Sequence, residues 1–441
     1  MTTLVVGISR YLMILLIGIY AYYSVRYYFM KDEAAQNRAV GRQVVCLFML
    51  HFLANLLIYL NTDSLLLVVF YAAQAVFLLG YIYLYRLFYR NVSRILVNHV
   101  CLLLITGFVM LTRLNPDQAM RQFVIVAASA VVTWIIPFVV DRAWQLAKIP
   151  WIYGILGLVL LILVCAIGNT SYGAQLSLNF GGISVQPSEF VKISFVFFVA
   201  TMFYRSTEFK NVAVTTAVAA AHVLVLVLSR DLGSALIYFV TYLAMLLAAT
   251  SNLLYSGAGL LGGAAASVIA YQLFPHVRRR VAAWANPWAD IADTGYQVTQ
   301  ALFAIGTGGW FGTGLYQGMP ERIPVVNKDF IFAAVFEELG GLYALCLLLV
   351  CLCCFFQFVL IAMKMQAMFY KLIAFGLGTV YITQVFLTVG GSVKFIPSTG
   401  VTLPFVSYGG SSILATFILF NIIQGLYILK RGEEEETNEK E

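Results

Sequence analysis

The sequence predicts an all-α, polytopic integral membrane protein with about thirteen transmembrane helices. Three observations predict it. Hydrophobic residues make up 61% of the chain and charged residues only 11%, a balance that water-soluble domains do not hold. Stretches of roughly 20 mostly apolar residues, the length that crosses a hydrocarbon core of ~30 Å, recur from one end to the other. Lys and Arg are shared unevenly between alternate connecting segments, as they are in membrane chains of fixed orientation.

In chain order the spans are expected at 4–25, 44–62, 65–85, 95–112, 123–141, 150–167, 189–204, 212–229, 233–249, 254–274, 330–361, 370–390 and 408–429. Each is a helix because lipid offers the backbone no other partner for its N–H and C=O groups. The first has no charged segment ahead of it and no small-residue cleavage site behind it, so it reads as a retained helix and not a signal peptide. With the amino end outside, sixteen of the 27 basic residues, Arg90, Arg142, Lys148 and Lys440 among them, fall on the inner side. The carboxyl end is then cytoplasmic and the long loop 275–329, between spans ten and eleven, is external. The tail from Glu433 to Glu436 is acidic and expected to be disordered.

Several functions are excluded on chemistry. All seven cysteines (Cys46, Cys101, Cys165, Cys346, Cys351, Cys353 and Cys354) lie inside apolar spans, which argues for small apolar fillers and against a disulfide framework or a zinc site. Gly306, Gly308, Gly309, Gly312 and Gly314 have no strand before them, so no dinucleotide site is expected; they would permit tight turns under a lipid-sized substrate. No nucleic-acid partner and no protein-held metal centre are expected.

Candidate chemistry concentrates in the external loop. Arg278, Arg279 and Arg280 open it, on the side where basic residues are least expected; guanidinium forks suit pyrophosphate oxygens, and anionic lipid headgroups would attract them too. Trp284, Trp288 and Trp310, three of the six tryptophans, either anchor the loop in the interface or stack on sugar rings. Asp290 and Asp293 follow, then a short helix to Ile305 on which Gln297 and Gln300 should face away from Val298, Leu302 and Ile305. A carboxylate beside a dry interface can have its pKa raised toward working pH, which suits Asp290 to general-base work. Within a span, Glu189 and Lys192 stand three residues apart, as a structural ion pair or as a substrate contact.

Five ordered motifs carry a family resemblance. They are Gln186-Pro187-Ser188-Glu189 with Lys192; Asp231-Leu232-Gly233-Ser234; Asn286-Pro287-Trp288-Ala289-Asp290 before Gly295-Tyr296-Gln297; Asp329-Phe330-Ile331-Phe332 before Glu337-Glu338-Leu339-Gly340; and Pro397 followed by Val401 through Ser412. Over roughly residues 95–429 the chain resembles the SEDS peptidoglycan polymerases, the group of RodA, FtsW and SpoVE. That resemblance divides the chain into a three-helix amino-terminal extension (1–94), a ten-helix body (95–429) and the tail (430–441).

The resemblance implies transfer of a growing glycan from its undecaprenyl pyrophosphate carrier to the 4-hydroxyl of an incoming lipid II, with inversion, at a bacterial plasma membrane and alongside a class B penicillin-binding protein. It makes Asp290 the catalytic aspartate. The substrate-binding candidates are Arg278, Arg279, Arg280, Trp288, Gln297, Glu189, Lys192, Lys394, Ser407 and Tyr408. Positive charge for the departing pyrophosphate would come from the arginines or from a divalent cation. The chain departs from the family pattern at Ser177 (a tryptophan in relatives), Arg230 (a proline), and Val325 and Asn327 (a glutamate and a histidine). Beside the polymerase, the resemblance leaves a lipid II flippase and an inactive scaffold for a penicillin-binding protein as alternatives; a flippase would need polar groups near the membrane midplane, whereas here they gather at the external end.

Overall fold

The computed structural model describes residues 2–89, 91–140, 149–171, 174–180 and 183–438. Arg90, Arg142, Lys148 and Lys440, which entered the charge count, lie outside the described residues. Among those described, 13 helices are long and apolar enough to cross a membrane. The chain forms two compact units, Met1–Ala128 with Ala283–Cys354 and Thr388–Gly409, and Ser129–Ala282 with Phe355–Leu387 and Gly410–Glu441.

The first unit is built around α4 (Arg94–Leu114), whose apolar stretch is buried from end to end. The amino-terminal helices α2 (Glu33–Thr62) and α3 (Leu65–Phe88) pack on it, and α1 (Thr2–Tyr27) packs on α2. Asp32 caps α2, its carboxylate accepting from the N–H groups of Ala34 and Ala35, and Asp63 ends that helix in a left-handed conformation. Buried polar residues on these helices answer one another. Tyr20 Oη lies 2.9 Å from His99 Nδ1, Gln43 donates to Ser24 Oγ at 2.9 Å, and Asn98 donates to the Val40 carbonyl at 3.0 Å and to Gln43 Oε1 at 3.2 Å. Interhelical bonds of this kind each contribute about 0.6–2 kcal/mol in a membrane. His51 and Gln74 join α2 to α3 in the same way at 2.9 Å.

The second unit contains α6 (Ile136–Val140), α7 (Pro150–Ile167), α8 (Pro187–Arg205), α9 (Phe209–Leu228), α10 (Leu232–Thr250), α11 (Leu253–Leu273) and α17 (Gly410–Asn438). Between α7 and α8 stands a small antiparallel sheet that the hydropathy pattern did not announce: β1 (Asn169–Ser171), β2 (Ala174–Phe180) and β3 (Ile183–Val185), in that order. Ser177 lies in β2, opposite Asn169. α11 packs on α10 alone among its larger contacts and is otherwise exposed, with Leu253, Leu254, Leu261 and Leu273 turned outward. Helices α5 (Pro116–Thr133), α15 (Gly341–Lys364) and α16 (Met368–Ser392) contribute residues to both units.

Three expectations are corrected. The span expected at 330–361 is two helices, α14 (Ile331–Leu339) and α15, because Gly340 adopts φ 94°, which breaks the helical path. The span expected at 123–141 starts earlier, at Pro116, and is interrupted after Thr133. The acidic tail is helical as far as Asn438, continuing α17, with Glu434 pairing to Lys430 at 3.3 Å across one helical turn.

Candidate active site

The loop expected at 275–329 is largely folded. It opens with the amphipathic helix α12 (Pro275–Ala285), where Arg278 and Arg279 are exposed and Arg280 is half-buried. Their local field is legible in His276 on the same helix: burial lowers its pKa, and the nearby positive charges of Arg230 and Arg280 lower it further. All of these belong to the second unit.

In the first unit the chain then makes a single tight turn, Pro287–Asp290, and enters α13 (Tyr296–Gly308). Asp290 is exposed. Its carboxylate accepts from Thr294 Oγ1 at 2.9 Å and from Thr294 N at 3.2 Å, and these bonds hold its pKa below the usual aspartate value. The direction is opposite to the rise expected beside a dry interface, because the Thr294 hydroxyl and N–H both favour the charged form. Asp293 is exposed as well. Trp288, 48% exposed, rests its ring 5.7 Å from that of Phe303 and leaves much of its surface open.

Gln297 and Gln300 are half-buried on α13, and the inner face of this helix is Val298, Ala301, Ala304 and Gly308, not the face through Leu302 and Ile305. That face packs on α14. Gly309, Gly312 and Gly314 adopt positive φ, as the expected tight turns require, and the segment also makes a backbone-to-backbone contact: Thr313 N donates to Glu337 O and Gly314 N to Glu338 O, both at 2.9 Å, while Gly341 N donates to Gly309 O at 2.9 Å. A Cβ on Gly312 would fall 2.5 Å from the Glu338 carbonyl oxygen, so no larger residue fits.

Beneath this contact the two glutamates of the fourth motif join a charge cluster with Arg113, a partner that the sequence pattern did not single out. Glu338 is fully buried and pairs with Arg113 Nε of α4 at 3.0 Å. Arg113 also reaches Glu321 at 3.4 Å and the Gly318 carbonyl at 3.2 Å, and lies 4.5 Å over the Tyr316 ring. Glu337 accepts from Met319 N at 2.9 Å. Burial raises the pKa of Glu338 to about 7 despite the opposing pull of Arg113, and burial also raises that of Glu337. The signal was present as an arginine ending an apolar span and two adjacent glutamates beside another; only the fold shows that they meet.

The fifth motif braces the fourth. Ser407 is buried, accepts from Leu403 N at 2.8 Å and donates to the Lys328 carbonyl, while Tyr408 N donates to the Asn327 carbonyl at 2.7 Å. Asn327 in turn hydrogen-bonds Gln118 of α5, and Gln122, one turn on, bonds the Ser407 carbonyl at 2.9 Å. Lys394 is half-buried, with its carbonyl accepting from Trp284 Nε1 at 3.2 Å. Lys394 and Val325 both adopt positive φ.

In the second unit the first two motifs lock together. Ser188 Oγ donates to Asp231 at 3.1 Å, Asp231 accepts from Ser234 N at 3.1 Å, and Tyr238 donates to the Ser188 carbonyl at 2.9 Å. Burial raises the pKa of Asp231, and its bonds to Ser234 and Ser188 partly offset this. Arg230, one of the departures, precedes it in a left-handed conformation. Lys192 is buried between Glu189 at 2.5 Å and Gln384 at 2.7 Å, a structural arrangement that satisfies its charge inside the span. Among the described residues no three His, Cys, Asp or Glu side chains gather closely enough to hold a metal ion.

Residues 91–431 match the family model of FtsW, RodA and SpoVE, described as cell cycle protein. The chain is 36% identical over 326 residues to a protein of Mycobacterium tuberculosis named peptidoglycan glycosyltransferase RodA, covering 70% of this chain and 69% of that one. It is 32% identical over 279 residues to a probable peptidoglycan glycosyltransferase FtsW of Aliivibrio salmonicida, covering 61% and 70%. Its fold is similar, with a TM-score of 0.67 and 24% identity, to a chain from a peptidoglycan synthase complex that coordinates polymerization and crosslinking, over 77% of this chain and 98% of that one.

Proposed function

The chain belongs to the FtsW/RodA/SpoVE family, and from that premise we infer that it is a multi-pass membrane peptidoglycan glycosyltransferase. The observation that carries this is the 36% identity over 326 residues to a relative of that name, beside a family match over residues 91–431 that contains the five ordered motifs. The reaction we propose is attack by the GlcNAc 4-hydroxyl of lipid II on the anomeric carbon of the growing chain. The C–O bond to undecaprenyl pyrophosphate breaks as the new glycosidic bond forms, inverting the centre.

Asp290 is the proposed general base. Its depressed pKa keeps it ionised at any physiological pH, and Thr294 fixes the carboxylate's direction. A substrate that displaces water from it would raise its basicity at the moment a proton must be taken. Arg278, Arg279 and Arg280 are proposed to receive the pyrophosphate and Trp288 a sugar face. Gln297 lies in the first turn of α13, just after the turn that follows Asp290, and is the proposed polar contact beside it. Lys192, Glu189 and Ser407 have their polar groups engaged within the protein, and we assign them to holding the helices that frame the motifs.

The proposed orientation places loop 275–329 outside the plasma membrane and the carboxyl end in the cytoplasm. The proposed partner is a class B penicillin-binding protein, a reading supported by the likeness to a chain of a peptidoglycan synthase complex. The test is purified protein given lipid II, with and without such a partner and with a chelator, scored for glycan strands on a gel. Strands are expected; lipid II crossing vesicles without strands would replace the polymerase with a flippase.

A further inference from the structure

The three amino-terminal helices lie before the region that the family model matches, yet α1 touches the loop that leads away from α13. Arg10 Nη1 donates to the Gly312 carbonyl at 3.0 Å, and its other terminal nitrogen donates to Tyr11 Oη at 2.8 Å, with the guanidinium 4.7 Å over the Tyr11 ring. The Tyr11 ring in turn meets Phe311 at 5.5 Å. Val6 is buried and packs so closely on Gly314 that a Cβ there would lie 2.9 Å from its methyl carbon.

The far part of α1 is fixed independently. Tyr20 is bonded to His99 of α4, and Tyr28, just past the helix end, donates to the Cys353 carbonyl of α15 at 2.7 Å. The eighteen residues from Arg10 to Tyr28 make a rise of roughly 27 Å, close to the ~30 Å of a hydrocarbon core. α1 is thus a post anchored at mid-height and at one end, whose other end grips residues 311–314.

We propose that α1 braces this loop for the reaction, with Arg10 as a positioning residue, so that the extension serves as a built-in support of the external catalytic region. The proposal rests on the polymerase function given above. Residues 309–314 continue directly from α13, the helix that follows Asp290 and carries Gln297, and they are tied to α14 by the backbone bonds of Thr313 and Gly314 and by the Thr313 hydroxyl, which donates to the Glu337 carbonyl at 3.1 Å. A loop held by backbone bonds on one flank gains rigidity from a charged donor on the other, and misplacement of a neighbouring catalytic group by even ~1 Å is costly in rate.

The experiment compares wild type, Arg10→Ala, Arg10→Lys and Arg42→Ala by hydrogen exchange of residues 309–318 and by initial polymerisation rate on lipid II. Arg42 also sits on the extension and bonds a tyrosine, Tyr23, but lies on a different helix with no bond to the loop. Arg10→Ala should speed exchange in 309–318 and lower kcat by roughly tenfold, with KM changed less than about twofold. Arg10→Lys should recover most of both, and Arg42→Ala should match wild type. Unchanged exchange in Arg10→Ala, whatever happens to the rate, overturns the brace, and so does faster exchange with a wild-type rate. Should Arg10→Ala fail to accumulate, Tyr11→Leu, which removes the ring against Phe311, is read by the same two measurements. If wild type itself makes no glycan, the polymerase function fails while loop exchange still decides the brace.

Discussion

Asp290 and Glu338 are carboxylates of the same unit, and the protein treats them in opposite ways. Asp290 is exposed with one threonine bonded to it, and its pKa is depressed; Glu338 is sealed beside Arg113, and its pKa is raised to about 7. The second unit repeats the contrast with cations: Arg278 and Arg279 are exposed, whereas Lys192 is buried against Glu189 and Gln384. Solvation decides each case. A charge in water costs the fold nothing and stays available to a substrate, while a buried one must be answered by named partners and then acts as a fastener.

If that division holds, substitutions in the two sets should fail differently. The largest effect is expected at Asp290→Asn, which keeps shape but cannot accept a proton: polymerisation should fall by ~10²–10⁴ with insertion and melting unchanged. Asp293→Asn, equally exposed, should keep most of its rate; the reverse pattern would move the base to Asp293. Arg113→Ala should do the opposite, stripping Glu338 of its partner at about 3–5 kcal/mol and reducing the yield of monodisperse protein. A well-folded but slow Arg113→Ala would place the cluster with the exposed, functional set.

Replacing Arg278, Arg279 and Arg280 together by glutamine should raise KM for lipid II roughly tenfold while the melting midpoint stays within a few degrees. An unchanged KM would leave lipid anchoring as their role. The smallest effect concerns pH. Well below pH 4.5 both folded and unfolded chains hold the Glu338 proton, and between pH 4.5 and about 7 only the folded chain keeps it, so wild-type stability declines across that window. The penalty is complete above pH 7 and at most about 3 kcal/mol. Glu338→Gln, which can still accept from Arg113, should therefore gain stability over wild type at pH 8 and show little gain at pH 5, and an equal gain at both would mean that Glu338 is ionised throughout.

The thirteen spans were legible because hydropathy integrates over many residues and tolerates local error. What escaped was set by single residues or by distant partners. Gly340 splits one apolar run in two through its backbone angle alone. The sheet at 169–185 is too short to leave a periodic signal. The motif residues of the site were identifiable, but their bonds were not: that Thr294 donates to Asp290, and that Ser407 donates to the Lys328 carbonyl, depends on how the chain folds. Arg113 and Glu338 stand 225 positions apart, and no local pattern announces that they meet.

The burial of α4 bears on how the chain is made. Asn98 and His99 would be costly facing acyl chains, and a helix carrying them has weak reason to leave the translocation machinery alone. Synthesis runs from the amino end, so α1 and α2 have entered the bilayer before α4 emerges, and Tyr20, Val40 and Gln43 are already there to receive it. The extension is thereby also a landing place, built first, for the earliest helix of the enzyme body.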